Sequence, residues 1–249
     1  MKHVWLALAA FCAGVAGAAG PSYTASGIVN ASNYAPGPFA PGSVISIFGS
    51  DLARSSQAAT AADIHNLELN YVRVYANAEP VPVLFVSEHQ INFVMSTMVN
   101  PGPVIVRVAT EGQSGPEIQV TVVNSAPSLF SVAGGYALAT DAFNKLLSAD
   151  SRAHPGDTVV VYLTGLGRTS PNTDPREIPQ YQAQVVSPVK VTLGGVPVDA
   201  PLYLKYVGLT PTWTGLYQIN LVVPGGVGTD PELKIEGDVT ASGLKLPIR

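Results

Sequence analysis

The chain states one pattern twice, in the same order. Pro41-Gly42-Ser43-Val44-Ile45-Ser46-Ile47-Phe48-Gly49-Ser50-Asp51-Leu52 returns as Pro155-Gly156-Asp157-Thr158-Val159-Val160-Val161-Tyr162-Leu163-Thr164-Gly165-Leu166. Further on, Gln90-Ile91-Asn92-Phe93 returns as Gln218-Ile219-Asn220-Leu221. Ordered self-similarity is the mark of tandem copies of one folding unit. It also sorts the residues: a position matched in both copies points to the fold, whereas a catalytic residue more often belongs to one copy only.

Inside each copy the hydrophobic period is two. Ile45 and Ile47 share one strand face, and Val159, Val161 and Leu163 share the matching one. The same alternation runs through Val72-Arg73-Val74, Val104 to Val108, Ile118 to Val122, Val189 to Leu193, Leu233 to Glu236 and Leu244 to Ile248. Successive strand side chains point to opposite faces, so these segments predict sheets with one dry and one wet face. Gly 24 and Pro 21 punctuate the apolar runs, and 47% hydrophobic against 12% charged residues suits a buried core under an uncharged polar surface. Gly194-Gly195 and, in the first copy, Asn77-Ala78 take the place of a tight hairpin turn. The Ala-rich stretch from Leu52 to Ala62 fits a turn or two of helix or a loop equally well. The predicted class is all-β: two tandem immunoglobulin-like β-sandwiches, at residues 26–125 and 126–249.

The N-terminus has a different character. Lys2, the apolar run Val4 to Ala13 and the small residues Ala16-Gly17-Ala18 match a secretory signal, so residues 1–18 are expected to be removed and Ala19 to begin the mature chain. The apolar run falls short of the ~20 residues of a membrane helix, and no second span follows. The only cysteine, Cys12, lies within that signal, with Phe11 rather than a small residue before it. The mature chain thus has no disulfide, no thiolate zinc ligand and no cysteine nucleophile. An extracellular or periplasmic location is expected. A net charge of −4 without a Lys/Arg cluster argues against nucleic acid as a partner.

Chemistry-bearing residues are sparse. His65, His89 and His154 lie far apart, without the spacing of a zinc site, and Gly49-Ser50-Asp51 lacks the second glycine of a nucleophile elbow. Asp157, Asp174, Asp199, Asp230 and Asp238 sit near turns, where aspartate caps local backbone. No catalytic residue, metal ligand or cofactor is assigned. Gln90, Asn92, Gln218 and Asn220 form matched amide pairs on one strand face and are read as structural. The offset between copies grows from the opening segments to the Gln-Ile-Asn segments, which places extra residues before Gln218, in a loop from Leu204 to Gly215. Trp213 of that loop, with Tyr206 and Tyr217, forms the candidate ligand-binding set, since flat apolar faces with polar tips suit sugar rings or a protein partner.

The string Ile28-Val29-Asn30-Ala31-Ser32-Asn33-Tyr34, Ala40-Pro41-Gly42-Ser43, Gln90-Ile91-Asn92, Tyr206-Val207-Gly208-Leu209-Thr210-Pro211 and Gly215-Leu216-Tyr217-Gln218-Ile219-Asn220 resembles the uncharacterised Solibacter-type C-terminal extracellular domain over residues 28–249. Each half is also loosely similar to IPT/TIG-type immunoglobulin-like modules. The resemblance implies a sandwich fold and no catalytic residues. The leading expectation is an exported, non-enzymatic adhesion or interaction module whose partner is an extracellular protein or polysaccharide. The alternative is a carbohydrate-binding module using the aromatic loop.

Overall fold

A computed structural model of the chain describes residues 20–174 and 176–249. The expectations for the signal, Ala19 and Cys12 lie outside those residues. The fold is all-β, and its only α-helix among the described residues is Ala61–Asn66, within and just beyond the Ala-rich stretch. Thr60 caps that helix by accepting from the Asp63 amide, and the Asp63 carboxylate accepts from the Thr60 amide in return. No helix among the described residues is long and apolar enough to cross a membrane.

Two five-stranded sheets occupy the first half. One runs in the order Ser22–Asn30, Val44–Ser50, Gln90–Val94, Val83–Val86, Gln57–Ala58; the other runs Ile118–Val122, Gly102–Thr110, Val72–Ala76, Glu79–Val81, with Gln113–Ser114 attached at Gly102–Thr110. The second half repeats this plan. Thr158–Thr164 lies between Ser128–Leu129 and Tyr217–Val222, and Leu204–Leu209 follows outward. Facing it, Glu232–Glu236 and Lys190–Leu193 form the centre of a second sheet. The strand Ser22–Asn30 begins ahead of the expected boundary at residue 26.

Packing follows the period-two pattern. Ile45, Ile47, Ile91 and Phe93 from one sheet bury against Val72, Val74, Val104, Val106 and Val108 from the other. Val159, Val161, Leu163, Ile219 and Leu221 do the same against Val191, Leu193, Leu233 and Ile235. Full burial of each such side chain contributes roughly 1.5–3 kcal/mol before ordering entropy is subtracted. The two clusters draw on residues 23–122 and 129–248.

The duplication extends to single hydrogen bonds. Gly42 donates to the Met95 carbonyl and Gly156 to the Val223 carbonyl, both at 2.9 Å. Met95 returns a bond to Ser43, and Val223 to Asp157, again both at 2.9 Å. The Ala40 amide reaches Ser43 Oγ, as the His154 amide reaches Asp157 Oδ2. At the hairpin position, Asn77 (φ +58°) and Gly194 (φ +56°) both take the left-handed conformation that asparagine tolerates and glycine adopts freely. Asp51 (φ +56°) and Gly165 (φ +82°) are likewise matched, which makes the Gly-Ser-Asp sequence a strand-ending turn.

The halves meet along a bonded seam. The Val44 amide donates to Thr164 Oγ1 at 2.9 Å, and Thr164 Oγ1 donates to the Gly215 carbonyl at 3.0 Å. Arg168 reaches across to the Thr97 and Val99 carbonyls at 2.9 and 2.8 Å and to Asn100 Oδ1 at 2.9 Å. Asn124 donates to Asp238, and the Ser32 and Ser128 hydroxyls bond each other.

Candidate functional site

The expected loop from Leu204 to Gly215 is only partly a loop. Leu204–Leu209 is a strand, paired antiparallel with Tyr217–Val222 so that Tyr206 lies opposite Asn220 and Leu209 opposite Tyr217. Backbone groups that a loop would leave to water are thereby satisfied in a ladder. The turn proper is what remains, from Thr210 to Leu216, closed by the Thr210 amide on the Leu216 carbonyl at 2.9 Å.

This arrangement separates the three aromatics. Tyr217 is 1% exposed and lies inside the second core, where its hydroxyl donates to the Gly167 carbonyl at 2.6 Å. Burial holds its phenol far above the ordinary tyrosine range. Tyr206 is also buried; its hydroxyl donates to the Leu209 carbonyl at 2.8 Å and accepts from the Ala183 amide at 3.1 Å. Burial raises its pKa too, offset in part by the bond from Ala183. Neither ring offers a face to a ligand, so the expected trio is corrected to Trp213 alone. Both tyrosines sit where large aromatics with a satisfied hydroxyl do most for packing.

Trp213 is 61% exposed. The turn beneath it is firmly held: its own amide donates to the Thr210 carbonyl at 3.2 Å, the Thr212 amide to the Pro179 carbonyl at 2.6 Å, and the Gly215 carbonyl accepts from Thr164. Thr212 takes φ +70°, a costly conformation for a β-branched residue. Strain of this kind persists where surrounding contacts over-determine it, and it gathers at ligand clamps. The Pro179–Ala183 segment runs alongside, tied by the Leu209 amide to the Ala183 carbonyl at 3.0 Å, and it carries Tyr181, 50% exposed. Nothing in the sequence singles out Tyr181, because its Pro- and Gln-rich surroundings have no period that would place it.

Beneath the turn, Gly42, Val94, Thr97, Thr173, Thr214 and Tyr217 enclose a cavity of about 20 Å³ at the seam. Small-molecule sites run to hundreds of cubic ångströms, so a cavity of this size belongs to the joint between the halves.

The matched amides adopt one arrangement in both halves. Gln90 Nε2 donates to Asn92 Oδ1 at 2.9 Å, and Gln218 Nε2 to Asn220 Oδ1 at 2.9 Å. The aspartates near turns act locally or in pairs: Asp157 accepts from the His154 amide, Asp238 from the Asn124 amide, and Asp230 pairs with Arg152 and Tyr136. Among the described residues, no three His, Asp or Glu side chains are grouped to hold a metal ion.

No protein-family model matches the chain, and no curated protein matches it. Among solved structures, it is similar to a surface glycan-binding protein of the mixed-linkage glucan utilization locus of Bacteroides ovatus, at 13% identity and TM-score 0.31, covering 84% of this chain and 43% of that one. A second is the corresponding protein of a xyloglucan utilization locus of Bacteroides uniformis, at 14% identity and TM-score 0.27, covering 91% and 49%. A third is a surface glycan-binding protein of Prevotella bryantii, at 12% identity and TM-score 0.26, covering 84% and 36%. The chain spans less than half the length of each of these three.

Proposed function

We propose that this protein is an exported, non-catalytic carbohydrate-binding module that works outside the cytoplasm, extracellularly or in the periplasm. Two sandwich domains form its scaffold, and a polysaccharide chain is its ligand. The observation that carries this reading is the exposed indole of Trp213 on a turn pinned by four hydrogen bonds. A sugar ring has apolar C–H faces that pack on a flat aromatic, and a ring carried on an already fixed backbone loses less entropy on contact. Tyr181 on the adjoining segment is a second exposed ring and supports the same reading. An adhesion role toward a protein partner is the competing reading, and the ligand distinguishes the two.

The test is retardation of the purified chain in native gels containing soluble polysaccharides. Trp213→Ala is expected to abolish retardation by the polymer that slows the wild type while leaving the melting temperature unchanged, because the side chain is exposed. A wild-type chain that no polysaccharide retards, or a Trp213→Ala variant retarded equally, overturns the assignment.

A further inference from the structure

The first half carries a second exposed aromatic site, on the outer face of the strand pair Val44–Ser50 and Gln90–Val94. Val44, Ser46 and Phe48 alternate onto one side of their strand, and register sets Ser46 opposite Asn92 and Phe48 opposite Gln90. Phe48 is 38% exposed and meets Tyr34, 60% exposed, edge to face with ring centroids 5.7 Å apart. Exposed aromatics in such a pair are held in place without being covered.

Tyr34 is placed deliberately. It has φ +57°, and the turn that carries it is fastened by the Tyr34 amide on the Asn30 carbonyl at 2.9 Å, by Ser32 on Asn30 Oδ1, and by Ala35 on Asn33 Oδ1. Beside the rings, Asn92 Oδ1 accepts from both Gln90 Nε2 and Ser46 Oγ, at 2.9 and 2.8 Å. Those two bonds fix both amides. They leave Gln90 Oε1, an acceptor, and Asn92 Nδ2, a donor, without a protein partner among the described residues. Fixed rings beside one free acceptor and one free donor, all on uncharged side chains, suit a neutral ligand with an apolar ring face and hydroxyls on its rim.

The second copy has the same amide bond on a less exposed face. Tyr206 lies opposite Asn220, its hydroxyl tied to Ala183 and Leu209, and Gln218 is buried. The first copy exposes more of the position, since Phe48 and Gln90 are more open than their counterparts Tyr162 and Gln218. The Trp213 turn covers the other end of the same face, where Val44 and Val94 are buried. A Cβ on Gly215 would press on the side chains of Val44 and Val94, so that turn rests on the same outer face at its other end. Phe48 lies about 13 Å further along the strand.

We infer that this face is a second glycan-contact site, in which Tyr34 and Phe48 stack on a sugar ring and the Gln90 and Asn92 amides bond its hydroxyls, so that one uncharged polysaccharide chain engages both this face and the Trp213 turn. The inference rests on the Trp213 reading and extends it to the first half.

The experiment uses the full chain and a panel of soluble mixed-linkage glucan, xyloglucan, galactomannan and amylopectin, followed by titration calorimetry on the polymer that is retained. Tyr34→Ala and Phe48→Ala are each expected to weaken binding roughly tenfold, while Phe48→Tyr binds as the wild type does. Melting temperatures monitor folding; if Phe48→Ala melts early, Tyr34→Ala decides, since that ring is mostly in solvent. If both alanine variants bind like the wild type while Trp213→Ala does not, the second site is overturned and the Trp213 reading stands. If the wild type binds none of the four polymers, both fall.

Discussion

Arg168 Nη2 lies 2.8 Å from the carbonyl oxygen of Val99, so a side chain of the second half holds the backbone of the first. Its Nε takes the Thr97 carbonyl at 2.9 Å, and the same Nη2 also reaches Asn100 Oδ1. A planar guanidinium fills several acceptors at once, which an ammonium cannot do in the same geometry. Arg168→Lys is therefore expected to lose most of this contact, on the order of 1–3 kcal/mol. In calorimetry the wild type is expected to unfold in one transition and the variant in a broadened or split one. An unchanged endotherm would show that the halves are coupled elsewhere.

Matched glycines should differ in their tolerance of alanine. Gly42 and Gly156 have φ +77° and +94°, so each variant bears the left-handed strain of about 1 kcal/mol. A Cβ on Gly42 would also overlap the Tyr217 hydroxyl, whereas nothing lies near Gly156. Gly42→Ala should thus be the more destabilising, by a further 1–3 kcal/mol or so, as for overpacking elsewhere. Denaturant midpoints of the two variants measure the difference directly.

Thr164 and Ser50 occupy the same place in the two copies, yet only Thr164 lies on the seam. Thr164→Val should leave the buried Val44 amide and Gly215 carbonyl unpaired, at a cost of roughly 1–3 kcal/mol. Ser50 is exposed, and Ser50→Ala should stay within about 0.5 kcal/mol of the wild type. Equal effects from urea melts would contradict the bonding described at the seam.

Stability in acid should carry a contribution from Asp230. The Arg152 guanidinium holds its carboxyl below the ordinary aspartate range, with the Tyr136 hydroxyl adding to the effect. A depressed folded-state pKa contributes stability that is complete above the unfolded value of about 3.9 and lost as pH falls through the folded one. Asp230→Asn should therefore lower the melting temperature at neutral pH and flatten its decline below about pH 4. A parallel acid limb in both proteins would remove Asp230 from the account.

The aromatic residues show where linear reading fails. Tyr206-Val207-Gly208-Leu209 looks like part of an insertion because the offset between copies grows there, but its strand takes the place that Val83–Val86 holds in the first half, pairs with Tyr217–Val222 and turns both tyrosines inward. Tyr181 and Tyr34 were legible as residues and not as sites, since exposure in an irregular segment depends on what the rest of the chain leaves uncovered. The amide pairs were read as matched and structural. The Gln-to-Asn bond is shared, yet the surroundings differ: Ser46 also donates to Asn92, and Gln90 is half-buried where Gln218 is buried.

The alternation of branched aliphatics, the repeated Pro-Gly turns and the order of segments were enough to establish an all-β chain and the correspondence of its halves. Those properties are local: side-chain direction in a strand and the conformations open to glycine or asparagine follow from near neighbours along the chain. Which aromatic rings face solvent, and that Arg168, Thr164 and Gly42 serve a joint, came from folding. Burial and long-range hydrogen bonds depend on residues brought together from distant positions, as Thr164 is to Val44. No pattern within one segment encodes that meeting.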